Sequence, residues 1–217
     1  MTPARKEIFD RVAAFVGLVL AIPVMVLIAL VIKLRHPSLP LLFVETVVGK
    51  DAVPFRFYKF RTMLPHPIDY DDRPEILPGN PLVTRVGGWL RRFKLDELPQ
   101  LFHVLLGQMS IVGPRPMDVR RYERASEFFR QRALVKPGLT GLAQVSGNIY
   151  LTWEERMEMD VWYIEQWSMA LDLEIIVRTA GVILQGEQIV DKLATTRRIT
   201  DHSHRIRVRR PAPVGQR

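Results

Sequence analysis

From Val12 to Ile32 the chain runs through consecutive residues with neither a charge nor a side-chain hydrogen-bonding group, VAAFVGLVLAIPVMVLIALVI. At about 1.5 Å of rise per residue, such a run matches a hydrocarbon core about 30 Å thick, so the pattern predicts a helix held in lipid. The run is longer than the apolar part of a cleaved leader and leads straight into Lys33 and Arg35, so the segment is expected to stay on the chain. Pro23 lies at its midpoint, where a missing backbone donor and a ring clash predict a break. Arg5, Lys6 and Arg11 precede the run, and Lys33, Arg35 and His36 follow it. Positive flanks favour the cytoplasmic side, so a helix that enters, breaks at Pro23 and returns keeps both clusters there.

Beyond Pro37 and Pro40 the pattern changes to short β-type runs. LLFVETVV and PFRFYKFRTM, joined by the turn-prone GKDA at 49–52, predict a β-hairpin. Residues 64–81 hold five prolines and four acids, which excludes a long regular element and leaves a loop of lid-like length. Helical patterns then return. Leu95 to Leu106 has Asp96 placed to cap it, Pro99 in the first turn and Gly107 just past the end. Met117 to Leu134 reads as a basic helix with interspersed aromatics, suited either to a lipid or partner surface or to a core-facing stripe. Trp153 to Ile183 reads as one or two helices.

The net charge of +8 changes meaning once it is divided along the chain. Eight basic residues against one acid lie from Lys192 onward, so the body is close to neutral and the excess sits in a proline-containing basic tail. A tail of this kind serves solubility or touches anionic lipid or RNA; it does not make the body a nucleic-acid binder. The absence of cysteine excludes disulfides, thiolate metal sites and a cysteine nucleophile. No GxxxxGK[ST], GxGxxG or GxSxG motif is present, which removes support for the common nucleotide-binding and hydrolase folds. The histidines show no metal-ligand spacing apart from His202 and His204 in the tail.

Candidate chemistry gathers in five stretches: KFRTM (59–63), RRFKLDELPQL (91–101), GQMSIVGPRP (107–116), KPGLTGLAQVSG (136–147) and MDVWYIEQWSMALDL (159–173). Asp96 and Glu97 follow Arg91, Arg92 and Lys94 at a predicted helix start, where free amides and nearby cations favour ionised carboxylates. Ionised carboxylates bind Mg²⁺ or attack phosphorus, although a plain N-cap with a first-turn acid satisfies the same spacing. Arg115, between Pro114 and Pro116, offers a guanidinium suited to bidentate phosphate contact, or a surface arginine on a rigid turn.

In that order behind one N-terminal apolar segment, the first four of these motifs resemble the bacterial sugar transferases known as monotopic phosphoglycosyl transferases, in their short catalytic-core form. The resemblance extends to about residue 186. It implies transfer of a sugar 1-phosphate from a UDP-sugar to polyprenyl (undecaprenyl) phosphate, giving polyprenyl diphosphate sugar and UMP with Mg²⁺ as cofactor. It implies Asp96 as the nucleophile, forming a covalent phosphosugar intermediate and sharing in metal binding. Glu97 would hold the site and the acceptor phosphate, Arg91 and Arg115 would face phosphate, and Lys59 and Arg61 would form the basic pair of KFRTM. Pro23 would be the membrane-helix break, although Ile22 stands where many members have serine. His103 and Gln108 depart from a common Asn and Asp, Asn80 and Leu82 from a common Asp and Arg, and Lys94 from a small hydroxyl residue.

The expected architecture is α+β and mostly helical: a monotopic, membrane-associated enzyme with a re-entrant helix-break-helix and a small β-hairpin. Residues 1–36 form the re-entrant segment, 37–190 the cytoplasmic catalytic domain and 191–217 the flexible basic tail. The expected partners are a UDP-sugar donor, polyprenyl phosphate and membrane lipids, with a homodimer possible and nucleic acid excluded. The expected location is the cytoplasmic face of the bacterial inner membrane, at the first membrane step of a glycan pathway such as exopolysaccharide or lipopolysaccharide synthesis. The competing readings are a glycosyltransferase that releases UDP, and a membrane-tethered scaffold that recruits anionic partners through its tail.

Overall fold

The computed structural model describes residues 3–65 and 80–185. Most of the predicted proline-rich loop, the last residues of the predicted catalytic domain and the basic tail lie outside the described residues.

Helix α1 spans Pro3–Arg35 and contains Pro23. The break predicted at Pro23 is therefore absent as an interruption of helical structure. Proline removes only one helical donor, and the body packs against α1 on both sides of that position. Asp10, Ala14, Leu18, Ala21, Ile28 and Ile32 are buried, at the three-, four- and seven-residue intervals that make one helix face. The stretch before Pro23 packs on Val47, Phe57, Leu101 and Val104. The stretch after it packs on Phe60 and Leu90. On the far face, Val16, Leu20, Val26 and Leu27 are exposed.

Polar anchors hold both ends of α1. Lys6 Nζ lies 2.5 Å from Asp172 Oδ2. Asp10 accepts from Ser110 Oγ at 2.7 Å and from the Ile111 amide at 3.3 Å. At the other end, Lys33 Nζ donates to the carbonyls of Leu39 at 2.8 Å and Pro37 at 3.3 Å.

The predicted hairpin is formed by β1, Leu42–Val48, and β2, Pro54–Phe60, antiparallel with Leu42 opposite Phe60 and Val48 opposite Pro54. Its turn places Asp51 at φ 55° and Ala52 at φ 60°, the left-handed pair that matches the twist of a tight hairpin. Helix α2, Arg85–Arg92, is followed by a 3₁₀ turn over Leu95–Gln100 and by α3, Leu101–Leu105. The single helix predicted for Leu95–Leu106 is thus a 3₁₀ turn running into an α-helix, and Pro99 supplies no amide for an α-type bond. Gly107, at φ 78°, ends the helical run as expected.

Strand β3, Ser110–Val112, precedes β4, Met117–Asp118, which adds to the free edge of β1. The basic helix predicted from Met117 is broken in two. Asp118 caps α4, Val119–Arg124, and Ser126 caps α5, Glu127–Arg130, with a 3₁₀ turn over Gln131–Leu134 beyond it. Each cap's side chain accepts a backbone amide and so restarts the helix. Strand β5, Gly138–Thr140, pairs parallel with β3. Helix α6, Leu142–Val145, leads to α7, Trp153–Glu165, and α8, Met169–Gln185. Thr152 and Glu155 close a capping box at the start of α7. Val112, Leu142, Val145, Met159, Tyr163 and Ile175 form the core beneath these helices.

His103 and Gln108, two of the departures noted above, meet each other. His103 Nδ1 lies 2.8 Å from Gln108 Oε1, and His103 Nε2 accepts the Tyr58 amide at 3.2 Å. Burial pushes the imidazole below its usual range despite the bond to Gln108, which favours the neutral ring that this pairing needs. The histidine thereby supports the backbone of β2 next to Lys59.

Candidate active site

Lys94 adopts a left-handed conformation at φ 56° and turns the chain into the 3₁₀ segment with Asp96 and Glu97 in its first turn. Lys94 occupies the cap position, and no side chain caps that turn. The N-cap role considered for Asp96 is therefore overturned. Asp96 is 5% exposed, and its Oδ1 has no hydrogen-bond partner among the described residues. A buried, unpartnered carboxylate oxygen is costly unless a ligand or ion completes it.

Arg91 comes from the last turn of α2, and its Nε donates to Thr62 Oγ1 at 2.8 Å. Gly87 makes this contact possible, since a Cβ there would sit 2.0 Å from the Thr62 carbonyl oxygen. Thr84 caps α2 by accepting the Gly87 amide at 2.9 Å. Arg115 is fixed from the other direction. The Gly113 amide donates to the Thr140 carbonyl at 2.9 Å, and the Gly138 amide donates to the Pro114 carbonyl at 2.8 Å. Arg115 Nη1 and Nη2 then donate to Glu97 Oε1 at 3.3 and 3.2 Å.

Lys59, from β2, is in electrostatic range of Asp96, Glu97, Arg91 and Arg115. Burial and the neighbouring Arg115 hold its ammonium below the usual lysine range, against the two carboxylates. The structure thus brings Asp96, Glu97, Arg91, Arg115 and Lys59 together. Arg61 lies outside that group. Its Nε donates to the Pro40 carbonyl at 3.1 Å and its Nη2 to the Leu42 carbonyl at 3.4 Å, clipping the start of β1. Lys94, read in the sequence as one of the cations beside the acids, acts on both carboxylates. One member of the site escaped the sequence reading as a functional residue. Thr62 orients Arg91, and its membership of KFRTM was the available signal.

The two adjacent acids are driven apart. Burial raises Asp96, and the neighbouring Glu97 raises it further; Lys59, Arg91 and Lys94 offset part of this, leaving the group pushed up to about 6. Burial also opposes ionisation of Glu97, but Arg115, Lys94 and Lys59 outweigh it and hold that carboxyl below the usual range. Near neutral pH both acids are ionised, Glu97 is paired with Arg115, and Asp96 retains an open oxygen beside three cationic side chains, Lys59, Arg91 and Lys94. Such a site suits a phosphorylated ligand that carries its own negative charge.

No cluster of three or more metal-ligating side chains occurs among the described residues. This donor set does not fit an all-protein cage, but it does fit Mg²⁺, which commonly takes one or two carboxylates and completes its shell with water and substrate phosphate. The open Oδ1 of Asp96 is the atom that could hold such an ion.

Residues 1–186 match the family model described as bacterial sugar transferase, and the chain belongs to that family. Among its relatives, an uncharacterized sugar transferase of Bacillus subtilis is 38% identical over 184 residues, covering 85% of this chain and 89% of the relative. The UDP-glucose:undecaprenyl-phosphate glucose-1-phosphate transferase of Escherichia coli is 40% identical over 184 residues, covering 80% of this chain and 39% of the relative. The UDP-N-acetylgalactosamine-undecaprenyl-phosphate N-acetylgalactosaminephosphotransferase of Aeromonas hydrophila is 37% identical over 187 residues, covering 83% and 44%. The chain therefore matches the Bacillus protein along most of its length, but spans less than half of the other two. It is a sugar transferase by family, and the Escherichia coli and Aeromonas hydrophila relatives are named for acting on undecaprenyl phosphate.

Proposed function

We propose that the chain transfers a sugar 1-phosphate from a UDP-sugar to polyprenyl phosphate by two successive displacements at phosphorus. The observation that carries this reading is the buried Asp96 carboxylate, with an oxygen unpartnered among the described residues and Lys59, Arg91 and Lys94 close by. In the first displacement an Asp96 oxygen bonds to the β-phosphorus, the bond from that phosphorus to the bridging oxygen breaks, and UMP leaves with the electron pair. In the second, an acceptor phosphate oxygen attacks the same phosphorus, releasing polyprenyl diphosphate sugar and restoring Asp96. Arg91, Arg115 and Lys59 offset the repulsion between a carboxylate and a phosphoanhydride, which would otherwise keep the reacting atoms apart. Glu97, held by Arg115, orients that guanidinium and would help hold the acceptor phosphate. Bound Mg²⁺ would neutralise charge on the diphosphate, with Asp96 as its protein contact.

We also place the catalytic body on the cytoplasmic face, where sugar nucleotides are found. The ion pair of Lys6 with the body's Asp172 and the packing of Ile28 and Ile32 on Phe60 and Leu90 tie both ends of α1 to one body, which supports a helix that does not cross the bilayer. Its exposed apolar face is the part available to lipid.

The test is the purified chain in lipid with Mg²⁺ and a panel of UDP-sugars. UMP release and a radiolabelled sugar-phosphate adduct on Asp96 are expected. Release of UDP, or an adduct elsewhere, overturns the reaction. Labelling of cysteines introduced at positions 4 and 38 tests the topology, and opposite-side accessibility rejects it.

A further inference from the structure

Arg132 and Asp160 lie outside the catalytic cluster, yet they form a buried ion pair, with Arg132 Nη2 2.6 Å from Asp160 Oδ2 and side chains 6% and 2% exposed. The same Nη2 donates to the backbone carbonyl of Arg115 at 2.5 Å, and Nη1 reaches Met157 Sδ at 3.1 Å. Arg132 sits in the 3₁₀ turn after α5, and Met157 and Asp160 lie on α7. A buried pair of this kind adds little stability compared with apolar residues of similar volume, which directs attention to what its geometry does.

We propose that Asp160 and Arg132 form a strut from α7 to the Gly113-Pro114-Arg115-Pro116 turn, acting as positioning residues that aim the Arg115 guanidinium at Glu97 and the donor diphosphate. The turn needs such a hold. Pro114 and Pro116 have no amides, so this stretch can be tied down only through its carbonyls and the Gly113 and Arg115 amides. Strand β5 grips it at Gly113 and Pro114, and Arg132 grips it at Arg115 itself. Asp160 locks the guanidinium in the orientation that serves the carbonyl. A lysine at 132 keeps the charge but lacks the planar fork that meets the carboxylate, the carbonyl and the sulfur together.

The inference rests on the reaction proposed above only in taking the donor as a UDP-sugar. The experiment is a mutant cycle in the full-length chain in lipid nanodiscs. It combines Arg132→Met with Asp160→Leu, in wild-type and Arg115→Ala backgrounds, and reads UDP affinity by calorimetry, UMP release and melting temperature. The apolar pair is expected to melt close to wild type while weakening UDP binding and slowing UMP release about tenfold, with no added effect once Arg115 is gone. Wild-type UDP affinity in the paired variant, or the same fold loss in both backgrounds, overturns the strut. Should the paired variant fail to fold, Arg132→Lys is put through the same cycle with the same expectation. A wild type that binds UDP with this coupling but releases no UMP removes the reaction and leaves the strut, whereas UMP release with additive losses removes the strut alone.

Discussion

Lys6, near the start of the apolar helix, points its ammonium at the carboxylate of Asp172, which is far away in sequence and fully buried. Tyr163 Oη donates to Asp172 at 2.7 Å and Trp167 Nε1 at 3.1 Å, so one carboxylate gathers α1, α7 and α8. Lys6→Ala leaves that charge without its cation and is expected to cost about 3 kcal/mol, the size seen when one partner of a buried pair is removed. Thermal unfolding in detergent measures the loss. Lys6→Ala combined with Asp172→Asn should recover part of it, and a single variant as stable as wild type contradicts the assignment.

The raised Asp96 carboxyl predicts the pH profile. A nucleophile pushed up to about 6 is ionised only above that value, so kcat/KM for UMP release should climb through about pH 6. The effect on stability has the opposite sign. Because the folded state holds this proton more tightly than the unfolded chain, whatever Asp96 contributes declines as pH rises from about 4 through 6. Asp96→Asn should therefore abolish turnover yet melt no lower than wild type at neutral pH. A variant that keeps its activity would exclude Asp96 as nucleophile.

Thr62 should matter through Arg91. Thr62→Val preserves shape but removes the oxygen that accepts from Arg91 Nε, a charge-assisted bond of about 1.5–3 kcal/mol. The expected result is an increase of about tenfold or more in KM for the UDP-sugar, with a smaller change in melting temperature. Steady-state kinetics decide it, and an unchanged KM would leave Thr62 as packing alone.

Ala52 occupies a left-handed position that suits glycine. Ala52→Gly should stabilise the chain by about 0.5–1 kcal/mol, the relieved backbone strain exceeding the entropy that glycine adds to the unfolded state. Comparison of melting temperatures tests this, and activity should be unaffected, because the turn lies at the far end of the hairpin from Lys59.

The parts of this molecule that follow from local rules were legible without coordinates. The uncharged run predicts the long helix, runs rich in Val, Phe, Tyr and Thr about a turn-prone tetrad predict the hairpin, and Gly107 marks a helix end. Capping was legible only in part. Asp118 and Ser126 split what composition presents as one basic helix, because the competition between cap and continuation is settled by small energies and by packing. The break at Pro23 was overestimated for the same reason: contacts from the body on both sides of Pro23 hold the helix through a single missing donor.

The sequence alone determined which residue types are present in which order, and so the family, the apolar helix and the suspicion that Asp96 and Glu97 matter. Tertiary structure decided that Asp96 caps nothing, that Glu97 is taken up by Arg115, and that Arg61 clips a strand while Thr62 orients Arg91. Those outcomes depend on which side chains meet across long stretches of chain, and on how much water their meeting excludes. Spacing along the sequence carries neither quantity, whereas burial and distance in the folded chain set both the charges and their partners.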